Sequence, residues 1–197
     1  TGLIGYSSGY HAIMECDVLL MLGTDFPYRQ FYPEKAIVLQ VDIDPSHLGR
    51  RTVLTYGVCG DVKVTVEALL PYLNGHHSSE HLQKFSDHYT NVRKELDKLA
   101  LPRRSPIHPQ YLTKVISDLS AEDAVLTCDV GTPTLWAARY LRMNGKRRLL
   151  GSFNHGTMAN ALPQAIGAQV ALPDRQVVSL SGDGGLSMLL GDLLTLR

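Results

Sequence analysis

The sequence lacks several features that would place it quickly in a class of protein. Its 19 Lys and Arg residues balance 19 Asp and Glu residues, so it has no basic surplus that would attract nucleic acid. Its three cysteines, Cys16, Cys59 and Cys128, lie in or beside apolar runs, which favours reduced, buried thiols in a cytoplasmic protein over disulfides or a metal cluster. No apolar run approaches the roughly 20 residues that span a bilayer, and the N-terminus does not resemble a signal peptide. What remains is a chain of 197 residues, long enough for one large domain or two small ones.

The most specific pattern lies in residues 176–196. The apolar run at 177–180 predicts a buried strand, a glycine-rich loop follows, and leucines at 186, 189, 190, 193 and 194 predict one face of a helix. This arrangement presents unpaired backbone N–H groups to an anion. The loop lacks the third glycine of a dinucleotide fingerprint and the Gly-Lys of a P-loop, and it carries Asp183 in its middle. A carboxylate repels a phosphate unless a cation bridges them, so the loop indicates a site for a magnesium-bound diphosphate. The alternative is a simple strand-to-helix turn that is capped by an Asp.

Strands and helices alternate along the rest of the chain, which predicts an α/β fold with two parallel-sheet Rossmann-like domains, each incomplete. The domains are expected at 1–74 and 107–197. Residues 75–106 are expected to form a solvated linker with one helix at 81–99. The spacing of His77, His81 and His88 could place them on one face, but the exposed, cysteine-free segment favours a solvated linker over a metal site. The predicted strands are 17–22, 36–41, 56–59, 124–128, 148–152 and 177–180, and the predicted helices are 11–16, 62–73, 81–99, 109–119, 132–141, 162–172 and the one after 185.

Polar residues follow the predicted strands of both domains. In the first, the loop 23–28 offers backbone amides and two aromatic rings, and Asp42 is placed as an acid that binds ribose hydroxyls, although ordinary turns with an Asp cap fit equally well. In the second, the loop 153–161 carries His155, either a base or a hydrogen-bonded structural residue. It also carries Met158, which by default is a core residue.

Taken together, these segments resemble the thiamine-diphosphate-dependent decarboxylase and oxidase superfamily. The loop SGDGG at 181–185 is similar to the start of its diphosphate motif. Within the superfamily the chain most resembles the quinone-linked pyruvate oxidase family, through GTDFPYRQFYP at 23–33, QVDIDP at 40–45, the long segment 128–169 and RQVVSLSGDGG at 175–185. The resemblance implies a subunit of three domains, of which this chain carries the C-terminal part of the FAD-binding middle domain and the N-terminal part of the thiamine-diphosphate-binding domain.

The resemblance also implies the site residues. Asp183 would bind Mg²⁺, and Met158 would hold thiamine diphosphate in its reactive shape, while the glutamate that activates the cofactor and a second metal ligand would lie outside this chain. Residues implied to contact thiamine diphosphate are Gly156, Thr157, Met158, Asp183, Gly184 and Gly185, and those implied to contact FAD are Thr1, Gly2, Leu3, Ile4, Thr24, Asp25, Phe26, Pro27, Tyr28 and Asp42.

The activity implied by the resemblance is oxidative decarboxylation of pyruvate to acetate and CO₂, with electrons passing through FAD to ubiquinone. The implied protein is a homotetramer, peripheral on the inner face of the bacterial cell membrane through a C-terminal lipid-contacting segment outside this chain, with no nucleic-acid partner. Two alternatives are an acetolactate-synthase-like carboligase, against which FNHGTMANALPQ at 153–164 weighs, and a non-catalytic nucleotide-binding module. Because the chain starts at Thr1 rather than Met and stops inside an apolar helix, we expect a fragment that is inactive alone.

Overall fold

A computed structural model describes residues 2, 4–73, 75 and 79–196. The chain divides into two compact units, Thr1–Lys94 and Glu95–Arg197. Each unit contains a parallel sheet of three strands, with the order 18–22, 37–42, 56–59 in the first unit and 148–150, 125–128, 177–180 in the second. This confirms the predicted α/β fold with two parallel sheets.

The first unit contains α1 (Ser7–Met14), β1 (Val18–Leu22), β2 (Ile37–Asp42), β3 (Tyr56–Cys59) and α2 (Val62–Leu69). The central strand β2 pairs Leu39 with Leu20 on one side and with Tyr56 on the other. Its second half is buried because both edges are paired, and the local core consists of Met21, Tyr32 and Val38. All three predicted strands are confirmed to within one residue.

Two helices of this unit differ from their predicted bounds. Helix α1 begins at Ser7 rather than at His11, with Ser8 buried and the ring of Tyr6 packed edge-on against Tyr89 at a centroid distance of 5.4 Å. Tertiary packing therefore overrides the weak helix propensity of serine and glycine. Helix α2 ends at Leu69, and a 3₁₀ turn follows because Pro71 lacks the N–H that the next helical hydrogen bond requires.

Helix α3 (Ser79–Leu99) occupies most of the range expected to be a linker, and the two compact units divide within it, after Lys94. The helix is not fully solvated, because Phe85 and Leu96 are buried and Arg93 donates a hydrogen bond to the Tyr6 hydroxyl at 3.0 Å. His77 lies outside the described residues. No cluster of three or more metal-ligating side chains occurs within the described part of the chain.

The second unit is built around the central strand β4 (Val125–Cys128), whose four residues are at most 1% exposed. Arg147 donates to backbone carbonyls at and just after the C-terminal end of the helix Pro109–Leu119, including Ser117 O at 2.9 Å and Ala121 O at 3.0 Å. The elements are α4 (Pro109–Leu119), β4 (Val125–Cys128), α5 (Thr132–Tyr140), β5 (Arg148–Leu150), α6 (Ala161–Ala171), β6 (Val177–Leu180) and α7 (Asp183–Met188).

The prediction that the leucines after the glycine loop form one face of a continuous α-helix is wrong. Helix α7 spans six residues, and Leu190–Leu196 forms a 3₁₀ segment. Its leucines are exposed, Leu194 by 76%, and a helix gains most of its stability from packing an apolar face. Without such packing, three glycines in this stretch disfavour a continuous α-helix.

The structure also tests the expectations about the cysteines and about membrane-spanning segments. Cys16, Cys59 and Cys128 are all free thiols, but Cys59 is exposed at the end of the edge strand β3 rather than buried. Burial raises the pKa of the Cys128 thiol, since the interior disfavours its thiolate. Among the described residues, no helix combines the length and apolar character needed to cross a membrane.

Candidate cofactor site

The glycine loop follows β6 at the same edge of the sheet where β4 ends. These two strands are parallel neighbours, with Cys128 paired to Leu180, so their following loops meet. Helix α7 begins at Asp183, after Gly182, and no side chain caps it. Asp183 is exposed, and its carboxylate has no hydrogen bond or ion pair among the described residues. It is therefore available to bind a cation.

The loop before α6 reaches the glycine loop through Met158. Within this loop Gly156 has φ 65° and donates a backbone hydrogen bond to Ser152 O at 2.8 Å. The Met158 methyl carbon lies 3.5 Å from the position that a Cβ on Gly184 would occupy. Met158 is 50% exposed, so its default interpretation as a core residue is wrong. The structure thus brings Met158 and Ala159 of one loop beside Gly184 and Gly185 of the other, although the sequence places them in separate segments.

Asp129 is a further residue of this site that the sequence reasoning missed. It follows β4, is 2% exposed, and accepts a hydrogen bond from the Ala161 N–H at 2.9 Å through Oδ1. Its Oδ2 is buried without a hydrogen-bond partner in the described structure. A Cβ on Gly185 would lie only 2.2 Å from this oxygen. The available signal was an acid directly after the most apolar predicted strand of the unit.

A cleft of about 280 Å³ opens beside the glycine loop. One side is formed by Ser181, Gly182 and Asp183, and the other by the start of α5 and the ring of Trp136. His155 lies in a separate open cleft of about 270 Å³, exposed and without a hydrogen bond in the described structure. The hydrogen-bonded structural role expected for His155 is therefore not observed.

In the first unit, the loop after β1 is held by aromatic packing. Gly23 has φ 57°, which turns the chain out of the strand. Phe26 packs against Tyr28 at a centroid distance of 5.4 Å, and the Tyr32 hydroxyl donates to Phe26 O at 2.7 Å. A Cβ on Gly2 would lie 3.3 Å from the Phe26 ring, so the N-terminal segment meets this loop. Of the other residues expected at a flavin, Ile4 and Pro27 are exposed, whereas Thr1 and Leu3 lie outside the described residues.

The two carboxylates of this crevice already have protein partners. Arg51 donates two hydrogen bonds to Asp25, at 2.6 Å and 2.8 Å, and this pairing holds the pKa of the Asp25 carboxyl below its usual range. Asp42 is 5% exposed and accepts from the Asp44 N–H at 2.9 Å, with His47 Nδ1 at 3.3 Å. Asp42 therefore stabilises the turn that follows β2 through its Oδ1.

Comparison with known proteins agrees with this geometry. The family model described as "Thiamine pyrophosphate enzyme, central domain" matches residues 1–69, and "Thiamine pyrophosphate enzyme, C-terminal TPP binding domain" matches residues 129–197. The chain belongs to the thiamine-pyrophosphate-dependent enzyme superfamily, and its two units are partial central and C-terminal domains.

Similar proteins within the superfamily have different activities. YdaP of Bacillus subtilis, described as thiamine pyrophosphate-containing, is 37% identical over 98% of this chain and 34% of its own length. An acetolactate synthase large subunit of Parasynechococcus marenigrum is 32% identical over 99% of this chain and 32% of its own. A pyruvate oxidase of Lactiplantibacillus plantarum is 31% identical over 93% of this chain and 31% of its own. The chain thus spans about a third of the length of these relatives.

Proposed function

We propose that the complete protein carrying this chain oxidatively decarboxylates pyruvate to acetate and CO₂, using thiamine diphosphate, Mg²⁺ and FAD, and passes the electrons to ubiquinone. The observation that carries this proposal is the meeting of two loops, 156–158 and 183–185, beside a free carboxylate in a thiamine-pyrophosphate-binding domain. Pyruvate oxidase is among the relatives that match nearly the whole chain.

The residues present suit a magnesium-bound diphosphate. Asp183 offers an exposed carboxylate, the ligand type that Mg²⁺ prefers, and the exposed Gly184 beside it leaves the backbone open to a close approach. Among the described residues, Asp183 does not belong to any group of three or more metal-ligating side chains. Mg²⁺ tolerates this, because the ion completes its octahedral coordination with phosphate oxygens and water. Bound thiamine diphosphate would supply a thiazolium carbon nucleophile and an acceptor for the electrons that decarboxylation releases.

The residues of this chain have binding and orienting roles in the proposal. Asp183 binds the cation, and through it the diphosphate. Met158 presents an apolar side chain next to Gly184 and would support the bound cofactor, a contribution of orientation rather than of proton transfer. Gly156 and Thr157 contact the rings of the cofactor through the turned loop that Gly156 begins.

For FAD, we propose the crevice at the end of β1, with Gly2, Ile4 and the loop 24–28 as its contacts, together with Thr1, Leu3 and Asp42. The aromatic cluster around Phe26 offers an apolar surface next to a cleft of about 230 Å³. Since Arg51 already pairs the Asp25 carboxylate, Asp25 would meet the flavin through its backbone.

A carboligase remains the second candidate, because acetolactate synthases match the chain as well as pyruvate oxidase does. Product analysis separates the two. The purified complete protein is given pyruvate with thiamine diphosphate, Mg²⁺, FAD and a soluble ubiquinone analogue. We expect acetate to form only when the quinone is present, whereas acetolactate formed without it would refute the oxidase assignment.

We further propose that the complete protein is a homotetramer on the inner face of the cytoplasmic membrane, attached through a segment outside this chain. Analytical ultracentrifugation and flotation with phospholipid vesicles test the two parts. A monomer, or a protein that stays unbound by vesicles in the presence of pyruvate, would contradict the corresponding part.

A further inference from the structure

Asp129 and Asn160 lie between the two loops of the proposed cofactor site. Asp129 follows β4, and Asn160 comes directly before α6. Both side chains are buried, with 2% and 8% of their surface exposed. Buried polar side chains are costly unless their hydrogen bonds are satisfied, so their contacts indicate what they hold in place.

The Asn160 amide closes the loop that carries Met158. Its Oδ1 accepts from the Ser152 N–H at 3.1 Å, and its Nδ2 donates to Thr157 O at 2.6 Å. Ala159, which lies between Thr157 and Asn160, has φ 60°, a left-handed conformation that a residue with a Cβ keeps only when its surroundings enforce it. Asn160 thus fixes the loop from both ends across a strained residue.

Asp129 connects that loop to the glycine loop. Its Oδ1 binds the Ala161 N–H at 2.9 Å and lies 3.5 Å from Asn160 Nδ2, a long contact. Its unpartnered Oδ2 packs against Gly185, where there is no room for a Cβ. Burying a carboxylate oxygen without a donor is unfavourable, so ordinary turn formation does not account for this residue.

We propose that Asp129 and Asn160 are positioning residues that set the spacing between the Met158 loop and the Asp183 loop. A cofactor anchored by its diphosphate on one loop would then meet Met158 on the other at the distance that keeps it bent. This inference rests on the proposed thiamine diphosphate site, but not on the identity of the substrate.

The test uses the complete protein with three variants. Asp129→Asn keeps the shape and one acceptor oxygen, and Asn160→Ala removes the loop closure. Ser117→Ala is the matched control, because Ser117 is 3% exposed and its Oγ accepts from the Arg142 N–H at 2.8 Å away from both loops. For each, we measure the thermal midpoint without cofactor, the affinity for thiamine diphosphate with Mg²⁺, and the rate at which the C2 proton of the bound cofactor exchanges with deuterium.

We expect Asp129→Asn and Asn160→Ala to slow C2 exchange on the order of tenfold, with cofactor affinity changed less than about threefold. The control should lower the thermal midpoint without slowing exchange. If Ser117→Ala slows C2 exchange as much as the two test variants do, or if Asp129→Asn leaves C2 exchange unchanged, then Asp129 and Asn160 contribute only ordinary packing. Because C2 exchange does not involve pyruvate, a wild-type protein that exchanges normally but does not oxidise pyruvate would overturn the proposed reaction and leave this inference standing.

Discussion

Replacing Gly185 by alanine tests the packing of the proposed site most sharply. The new Cβ would lie 2.2 Å from Asp129 Oδ2 and 2.9 Å from its Cγ, whereas ordinary contacts between such atoms begin near about 3.5 Å. The carboxylate must therefore move by about 1 Å, although its other oxygen is bound to the Ala161 N–H. Overpacking of this kind costs about 1–3 kcal/mol, or roughly 5- to 150-fold in an equilibrium constant.

Gly184→Ala is the matched control, since its Cβ would meet only the flexible end of Met158, at 3.5 Å. The complete protein is compared with both variants by thermal unfolding without cofactor and by titration with thiamine diphosphate and Mg²⁺. We expect Gly185→Ala to lower the thermal midpoint and to weaken cofactor binding, and Asp129→Ala to restore part of both losses. If Gly185→Ala unfolds at the same temperature as Gly184→Ala, the close approach of Asp129 to the glycine loop is refuted.

Three further predictions concern the site and its support. In the complete protein, Asp183→Asn should weaken Mg²⁺ and thiamine diphosphate together while FAD stays bound, and unchanged thiamine diphosphate affinity in equilibrium dialysis would remove Asp183 from the metal site. Met158→Ala should lower turnover more than cofactor affinity, because a lost support affects the reactive shape before the diphosphate, and equal losses would make Met158 ordinary packing. Arg147→Met should destabilise the second unit by about 2 kcal/mol, since charged hydrogen bonds to the α4 carbonyls are lost, and denaturant unfolding that matches the wild type would contradict this.

The strands were predictable because each corresponds to a short apolar run, whether or not the strand is buried in the fold: β3 is exposed along its whole length, and β6 is at most half-buried. The runs at 56–59 and 177–180 have the predicted bounds, and helix α4 begins and ends where Pro109 and Leu119 indicated. The segment after Gly185 was not predictable, because its leucines have helical spacing but are exposed in the described structure. Helical periodicity records which face a segment would bury, whereas a helix forms only where a neighbour covers that face.

The candidate site was predictable only in part, for a related reason. Asp183 and its glycines stand out because an acid in a glycine loop is chemically unusual, and the parallel pairing of β4 with β6 puts the next loop beside them. Asp129 carried no comparable signal, since its role comes from contacts with Ala161 and Gly185, more than 30 residues away in the chain. The partners of Asp25 were likewise invisible, because Arg51 reaches it only through the fold.

In the proposed reaction, pyruvate chemistry at the 156–158 and 183–185 loops delivers electrons to a flavin. Anaerobic addition of pyruvate to the complete protein, loaded with thiamine diphosphate, Mg²⁺ and FAD, tests this directly through the visible absorbance of the flavin. We predict that the oxidised flavin spectrum bleaches in wild type, bleaches far more slowly in Asp183→Asn, and returns when a quinone is added. A flavin that stays oxidised while pyruvate is consumed would show that the flavin takes no part in the reaction and would contradict the account.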